Sequence, residues 1–403
     1  MPDKSVPIET QPARVPAQAN SAFYNDPRFR AFIYQGLLVV GVVALFWWLA
    51  SNAQQNLAAQ NKQTGFAFLD QPAGFGISFS LIPFDRASSY LQVYFVGILN
   101  TLLVASIGIV LATMLGFVIG IARLSSNFLI RQFAAIYVET IRNMPLLLQL
   151  LFWYFLMLNA LPAVRNAITL PFGIALHQRG LNLPALVPDD RFIFLAVAIV
   201  VAVIAGLVFR RWSLKQIENT GRRRPVWLPM LAIIIVPIFL VYFISGTRIA
   251  FDFPELRGFN FRGGFTAPPE LTALVLGLVV YTAAFIAEIV RAGIQSVSHG
   301  QTEAASALGL KEGDRLRLVI VPQAMRVIIP PLTSQYLNLT KNSSLGAAIG
   351  FPELVNVYVG TALNQSGRAI EIIGMAMLVY LTFSLTTSIV MNWYNSRVAL
   401  VER

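Results

Sequence analysis

The chain has 403 residues, 56% of them hydrophobic and only 12% charged, and a formal net charge of +11. A soluble domain carries about 25% charged residues, so a water-soluble globule is excluded, and the absence of cysteine excludes disulfides and thiolate metal sites. Several apolar runs reach the roughly 20 residues that cross a bilayer. The short alternating segments of a transmembrane β-barrel are missing. The composition predicts an all-α integral membrane protein.

The first 30 residues are polar and contain Pro2, Pro7, Pro12, Pro16 and Pro27. They read as a mobile cytoplasmic tail. No signal peptide is expected, because the apolar run that follows is too long for one. Eight spans are predicted, over residues 32–50, 93–121, 132–158, 192–209, 227–245, 271–296, 327–349 and 369–392. With the N-terminus inside, the inner segments hold Lys4, Arg14, Arg28, Arg30, Arg123, Arg131, Arg210, Arg211, Lys215, Arg222, Arg223, Arg224, Lys311, Arg315, Arg317, Arg326, Arg397 and Arg403. That is twice the number in the outer segments, and the bias predicts both termini in the cytoplasm. The positive charge thus follows topology rather than nucleic-acid binding. In the second span, Gly116 and Gly120 have the spacing of close helix packing. His177 and His299 fall in predicted loops and read as solvated side chains rather than metal ligands.

The seventh span, VIIPPLTSQYLNLTKNSSLGAAI, is too polar to face lipid. Its polar residues spread over most of a helical wheel, which fits a re-entrant segment or a crossing helix buried among others; a crossing keeps Arg397 and Arg403 inside and is the expectation. Pro330 and Pro331 are expected to kink it or break its first turn. Five charges fall inside spans: Glu139, Arg142, Glu288, Arg291 and Lys341. Each costs about 2.5–3.5 kcal/mol at a lipid-exposed helix centre. Glu139 with Arg142, and Glu288 with Arg291, stand three apart and can pair on one helix face. Lys341, Asn338 and Asn342, with Glu139 and Arg142, form the candidate substrate pathway: an ammonium needs acceptors and a carboxylate needs donors. The alternative for Lys341 is a pairing with a carboxylate or with backbone carbonyls between helices.

Between the sixth and seventh spans runs TEAASALGLKEGDRLRLVIVP. Alanines at 304, 305 and 307 make a narrow, helix-favouring rod. Thr302 or Gln301 is expected to start the helix, with Glu303 in its first turn at the positive end of the dipole. Gly309 suits the left-handed stop, and Leu308 and Leu310 offer an apolar tip. No phosphate-binding G-x-x-x-x-G-K-[ST] occurs in the chain, so it carries no P-loop ATPase.

This stretch resembles the EAA loop of ABC importer permeases: Glu303, Ala304 and Ala305, three residues, Gly309, nine residues, then Val319, Ile320, Val321 and Pro322. Valine replaces isoleucine and leucine in the closing part of the pattern. The stretches YVETIRNMPLLLQL (137–150), IAEIVRAGIQSVSHGQTEAASALGL (286–310) and LNLTKNSSLGAAIGFPEL (337–354) are similar to permeases of polar amino-acid importers of the histidine/glutamine type. Among these the chain is most like the larger permease of general L-amino-acid importers. The resemblance implies a type I permease core of five helices plus three extra spans. It divides the chain into a tail (1–30), an extra span and periplasmic segment (31–92), a first core part (93–160), an insertion with two spans (161–269), a second core part (270–396) with its coupling loop (297–326), and a tail (397–403).

The resemblance also implies a non-catalytic subunit of the bacterial inner membrane that binds no cofactor itself. Two cytoplasmic ATPase subunits using ATP and Mg would receive the coupling loop through Glu303, Ala304, Ala305, Leu308, Gly309, Leu310 and Pro322. A second homologous permease and a periplasmic substrate-binding protein complete the implied assembly. The competing reading is a secondary transporter driven by an ion gradient, which also uses midplane charges and broken helices but has no need of an EAA loop.

Overall fold

The computed structural model describes residues 27–59, 65–189, 191–221, 225–247 and 249–398. Most of the two tails, and Arg222, Arg223, Arg224 and Arg248, lie outside the described residues. The chain divides into two units, Met1–Phe66 and Ala67–Arg403. Among its described residues the first unit holds one long helix, α1 (Pro27–Ala59), whose described side chains between 30 and 49 are all exposed.

The second unit is built on α2 (Tyr90–Ala122), α3 (Phe128–Asn143), α4 (Leu146–Ala160), α5 (Phe192–Thr220), α6 (Trp227–Ser245) and α7 (Pro269–Gln295). The short α8 (His299–Ala307) and α9 (Glu312–Arg315) lead into α10 (Val321–Asn342), and α11 (Leu363–Ser366) precedes α12 (Ala369–Val398). Ser89 starts α2 by accepting from Gln92 N, and Asn127 starts α3 by accepting from Leu129 N and Ile130 N, so each satisfies backbone donors that a helix start leaves open.

The third predicted span is not one helix. α3 and α4 meet at 108°. Pro145 has no N–H to continue the ladder, and Met144 before it is extended (φ −101°, ψ 136°), as a residue preceding proline prefers. Gln149 bridges the elbow, with Nε2 donating to Ile141 O at 2.9 Å and Met144 O at 3.1 Å.

α2 and α7 run side by side in the same direction and form the centre of the unit. Gly116 and Gly120 lie on that contact. A Cβ on Gly116 would stand 2.6 Å from Ile286 Cβ, and one on Gly120 would stand 2.8 Å from Ala287 O. Only a hydrogen at these positions lets the two backbones approach this closely. α7 also packs on α3, α4 and α10, and α10 packs on α12. Pro330 and Pro331 sit well inside α10, not in its first turn, because the helix begins six residues earlier than the sequence pattern suggests.

Among the described residues eight short strands, absent from the sequence reading, fold the inserted loops into a cap. β1 (Ile168–Leu170), β2 (Ile174–His177), β3 (Gly180–Leu183) and β8 (Phe265–Ala267) form an antiparallel sheet in the order β1-β2-β3-β8. β4 (Ala185–Pro188) pairs with β5 (Ile249–Asp252), and β6 (Glu255–Arg257) with β7 (Asn260–Arg262). Leu181 and Phe265 of the sheet pack into the apolar cluster of Leu271, Leu274 and Leu150. The cap therefore sits on the helix ends opposite the EAA loop.

His177 corrects an expectation. It is a strand residue, 1% exposed, stacked on Phe261 at 5.4 Å. Its Nδ1 accepts from Arg179 N at 3.0 Å, and its Nε2 donates to Asn182 Oδ1 at 2.8 Å. Asn182 in turn donates to Thr266 Oγ1 at 2.8 Å, tying β3 to β8.

Candidate functional site

Two places concentrate unusual chemistry, and the first is α10. Its apolar residues Ile328, Ile329, Leu332 and Leu339 are buried. Ser334, Asn338 and Lys341 are exposed. Steps of four and three residues put these three on one stripe. Other polar residues are covered, Thr340 buried and Tyr336 bonded to Thr113 of α2, while Ser334, Asn338 and Lys341 stand on the face that this chain leaves open. Asn342, next along, is half-buried. Lys341 makes no ion pair among the described residues, so the expected alternative of a buried pairing is not what holds it. Ser334 was missed from sequence, although it stands at i−4 from Asn338 and i−7 from Lys341.

The second place is the EAA loop. α8 starts after Ser298, not at Gln301 or Thr302, and Ser298 gives no side-chain cap. Glu303 is consequently past the first turn, where the dipole no longer favours it. It bonds instead to His299 Nδ1 at 3.0 Å, one turn back. Ala305 is buried, Ala304 is exposed, Leu308 is 80% exposed and Leu310 is half-buried. Gly309 has φ +72°, a left-handed stop that a Cβ-bearing residue takes only at a cost. Arg315 Nη1 donates to Ser306 Oγ at 3.0 Å and folds α9 back on α8. Pro322, exposed, stands where the helical turn Leu316–Ile320 runs into α10.

The remaining membrane charges form a cluster at the EAA end. Glu288 binds Arg291 on its own helix and Arg123 at the end of α2. Glu139 does not pair with Arg142. It approaches Arg123 at 3.8 Å, while the Arg142 guanidinium lies 5.2 Å from the Phe285 ring centroid. Both residues lie on α3, ahead of the elbow: Glu139 reaches across to Arg123 at the end of α2, and Arg142 lies against Phe285 of α7. The structure brings Glu139 to Arg123, and neither Glu139 nor Arg142 to Lys341.

Glu353 was also missed. It is fully buried at the opposite end and accepts from Val355 N and Asn356 N, both at 2.8 Å, and from Tyr380 Oη at 3.2 Å. It caps the helical segment that runs from Val355 into α11. Thr101 and Asn100 of α2 hold the adjoining turn through Leu354 N and Pro352 O. The signal in the sequence was an acid directly after Gly350 and Pro352 and ahead of a new helical run.

These features can be set beside known proteins. The family described as "Binding-protein-dependent transport system inner membrane component" matches residues 198–400. The chain is 50% identical over 95% of its length to the putative amino-acid ABC transporter permease protein YhdX of Escherichia coli (strain K12), covering 98% of that protein. This chain is an amino-acid ABC transporter permease by family. It is also 50% identical, over 95% of each chain, to the general L-amino acid transport system permease protein AapQ of Rhizobium johnstonii. With the glutamate/glutamine/aspartate/asparagine transport system permease protein BztB of Rhodobacter capsulatus it shares 41% identity, over 95% of this chain and 97% of that one. A permease of this family is a multi-pass inner-membrane protein, and seven described helices are long and apolar enough to cross a bilayer, or eight spans if the bent α3–α4 pair counts as one. The insertion is not peculiar to this chain, since the three relatives match across nearly their whole length.

Proposed function

We propose that this chain is the membrane permease of an importer for polar or general L-amino acids, and that the α10 stripe lines its pathway. The observation that carries the reading is the exposure of Ser334, Asn338 and Lys341 on one face of a membrane helix. Lipid cannot satisfy them, and a lysine facing lipid at mid-span costs about 2.5–3.5 kcal/mol. A polar route shared with a second permease resolves this. Lys341 meets the substrate carboxylate, and the Asn338 and Asn342 carbonyls accept from its ammonium. The named substrates of the relatives, general L-amino acids and the glutamate/glutamine/aspartate/asparagine set, support that chemistry.

In this reading α8 is the coupling helix. Its exposed Leu308 tip and the Gly309 stop enter a cytoplasmic ATPase subunit, one of two that hydrolyse ATP with Mg. A substrate-binding protein delivers from the other side, and both termini are cytoplasmic. The partner permease is a homologue, and the core of five helices is completed by the extra spans of α1, α5 and α6.

The test is uptake of acidic, basic and neutral amino acids by the reconstituted complex, at matched protein levels. Asn338→Leu and Lys341→Leu are expected to shift rate or substrate range about ten- to a hundredfold, the equivalent of about 1.5–3 kcal/mol for a bond to a charged group. Wild-type rates for all three classes would show that the stripe is a packing surface. A cysteine at Ser298 in this cysteine-free chain is expected to label only from the cytoplasm; periplasmic labelling in intact cells reverses the orientation.

A further inference from the structure

The cap spends aromatic residues where local stability gains nothing from them. Phe172 is the one non-glycine residue at positive φ (64°) among the described residues, and its side chain is 84% exposed. That backbone conformation costs about 1–2 kcal/mol for a residue with a Cβ, and nothing in its own packing offsets it. Its turn rests on Phe253, which is itself half exposed: a Cβ on Gly173 would stand 3.0 Å from Phe253 Cδ1. The second case is the β6–β7 hairpin, whose turn is Gly258 and Phe259. Gly258 supplies the positive φ (70°) that the first turn position needs. Phe259 is thereby held at the tip, 77% exposed, with the Arg165 guanidinium 4.7 Å from its ring centroid. Turn tips favour glycine, asparagine and aspartate; both of these carry phenylalanine.

Charge adds a second, independent observation. Arg165, Arg179 and Arg262 are exposed on the same cap and form no ion pair among the described residues. An exposed aromatic ring with an arginine beside it, as at Phe259, is the composition of protein–protein anchor sites. Lipid-interface anchoring would use tryptophan and tyrosine, and the cap segments 161–191 and 246–268 contain neither. The cap also stands on the helix ends opposite the EAA loop.

We propose that this cap is the docking surface for the substrate-binding protein. Phe259 with Arg165, and Phe172, are its anchors, and the unpaired arginines meet an acidic face on that protein. The inference rests on the importer reading above, which places the cap on the delivery side.

The experiment uses the whole complex, with the second permease and the ATPases, in lipid nanodiscs. ATPase activity is titrated with the purified substrate-binding protein loaded with L-glutamate. Phe259→Asn, Phe172→Gly and Arg165→Gln are each expected to raise its half-saturating concentration tenfold or more. Phe172→Gly suits the turn's φ, so an unchanged or higher melting temperature separates lost docking from misfolding. Half-saturation within twofold of wild type for all three variants overturns the proposal. A wild-type complex that the binding protein fails to stimulate overturns the importer reading, and the docking surface with it. Quenching of a Phe259→Trp variant by brominated lipid in the resting complex would assign the hairpin to the bilayer and overturn the proposal independently.

Discussion

The α2–α7 pair and the α5–α6 pair are equally convincing as membrane helices, yet the protein uses them in opposite ways. α5 and α6 are at least as apolar as α7 but are hardly buried, whereas most of α7 is enclosed by its neighbours. In water the more apolar helix would be the one inside. In a bilayer lipid solvates apolar side chains as well as protein does, so hydropathy ceases to rank burial. What decides is the fit of small residues. Gly97, Gly116 and Gly120 of α2 each lie against a neighbouring element with no room for a side chain, and Gly108 abuts the end of the Leu339 side chain. The α5–α6 pair has its own close contact, Gly206 against Ile234, but α5 and α6 pack chiefly on each other.

Placing the same insult in both pairs tests this contrast, and the largest effect is expected in α2. Gly116→Leu drives a side chain into Ile286 Cβ and the Ala283 carbonyl, groups that cannot move aside. Overpacking costs about 1–3 kcal/mol or more, and the purified protein should lose its cooperative melting transition or fall sharply in melting temperature. Gly206→Leu meets only the outer carbons of Ile234 and Met230, so the hairpin should loosen while the core transition persists. Equal losses in both variants would mean that the hairpin is as structural as the centre.

A smaller effect is expected at the charge cluster where α2, α3 and α7 meet. Glu288 binds two arginines and its side chain is 25% exposed, while Glu139 is 72% exposed and 3.8 Å from Arg123. Glu288→Gln leaves the mostly buried Arg123 short of its main partner and should cost about 1.5–3 kcal/mol. Glu139→Gln should fall within about 0.5 kcal/mol of wild type, as exposed pairs do. Thermal melting at matched salt compares them; a reversed order would show that the elbow helix α3, not α7, organises this end.

The smallest effect belongs to the cap, of which only part packs on the apolar centre. Burial holds His177 below the ordinary histidine value, with the Arg179 charge acting in the same direction and the Asn182 bond opposing both. The folded cap therefore takes up fewer protons than the unfolded chain. Its stability is complete above the ordinary histidine value of about 6.5 and falls as the pH drops through the lower, folded value. A second proton would sit on Nδ1, facing the Arg179 N–H that it now accepts from. Hydrogen exchange over residues 174–183 should quicken at pH 5 relative to pH 7.5, and His177→Gln should abolish that difference. Exchange independent of pH in the wild type would mean that this histidine does not govern the cap.

Much of this protein was written along the chain. The spans, the charge asymmetry and the EAA loop with its Gly309 stop depend on composition and short-range backbone chemistry, and those are local. The elbow at Pro145 was not read, because the apolar run on both sides made one span of two helices. Tertiary structure decided the rest. Periodicity identifies residues that share a helix face, but not which neighbour covers that face. So α10 looked polar all round until α7 and α12 covered one side and left Ser334, Asn338 and Lys341 on the other. The spacing of Glu139 and Arg142 allowed a pair, but Arg123 became the partner of Glu139 once α3 packed beside α2. His177 looked like a loop residue until Phe261, far along the chain, stacked on it. Each outcome depends on a contact between segments far apart in sequence, and long-range contacts of that kind are set by the packing of the whole unit rather than by any local preference.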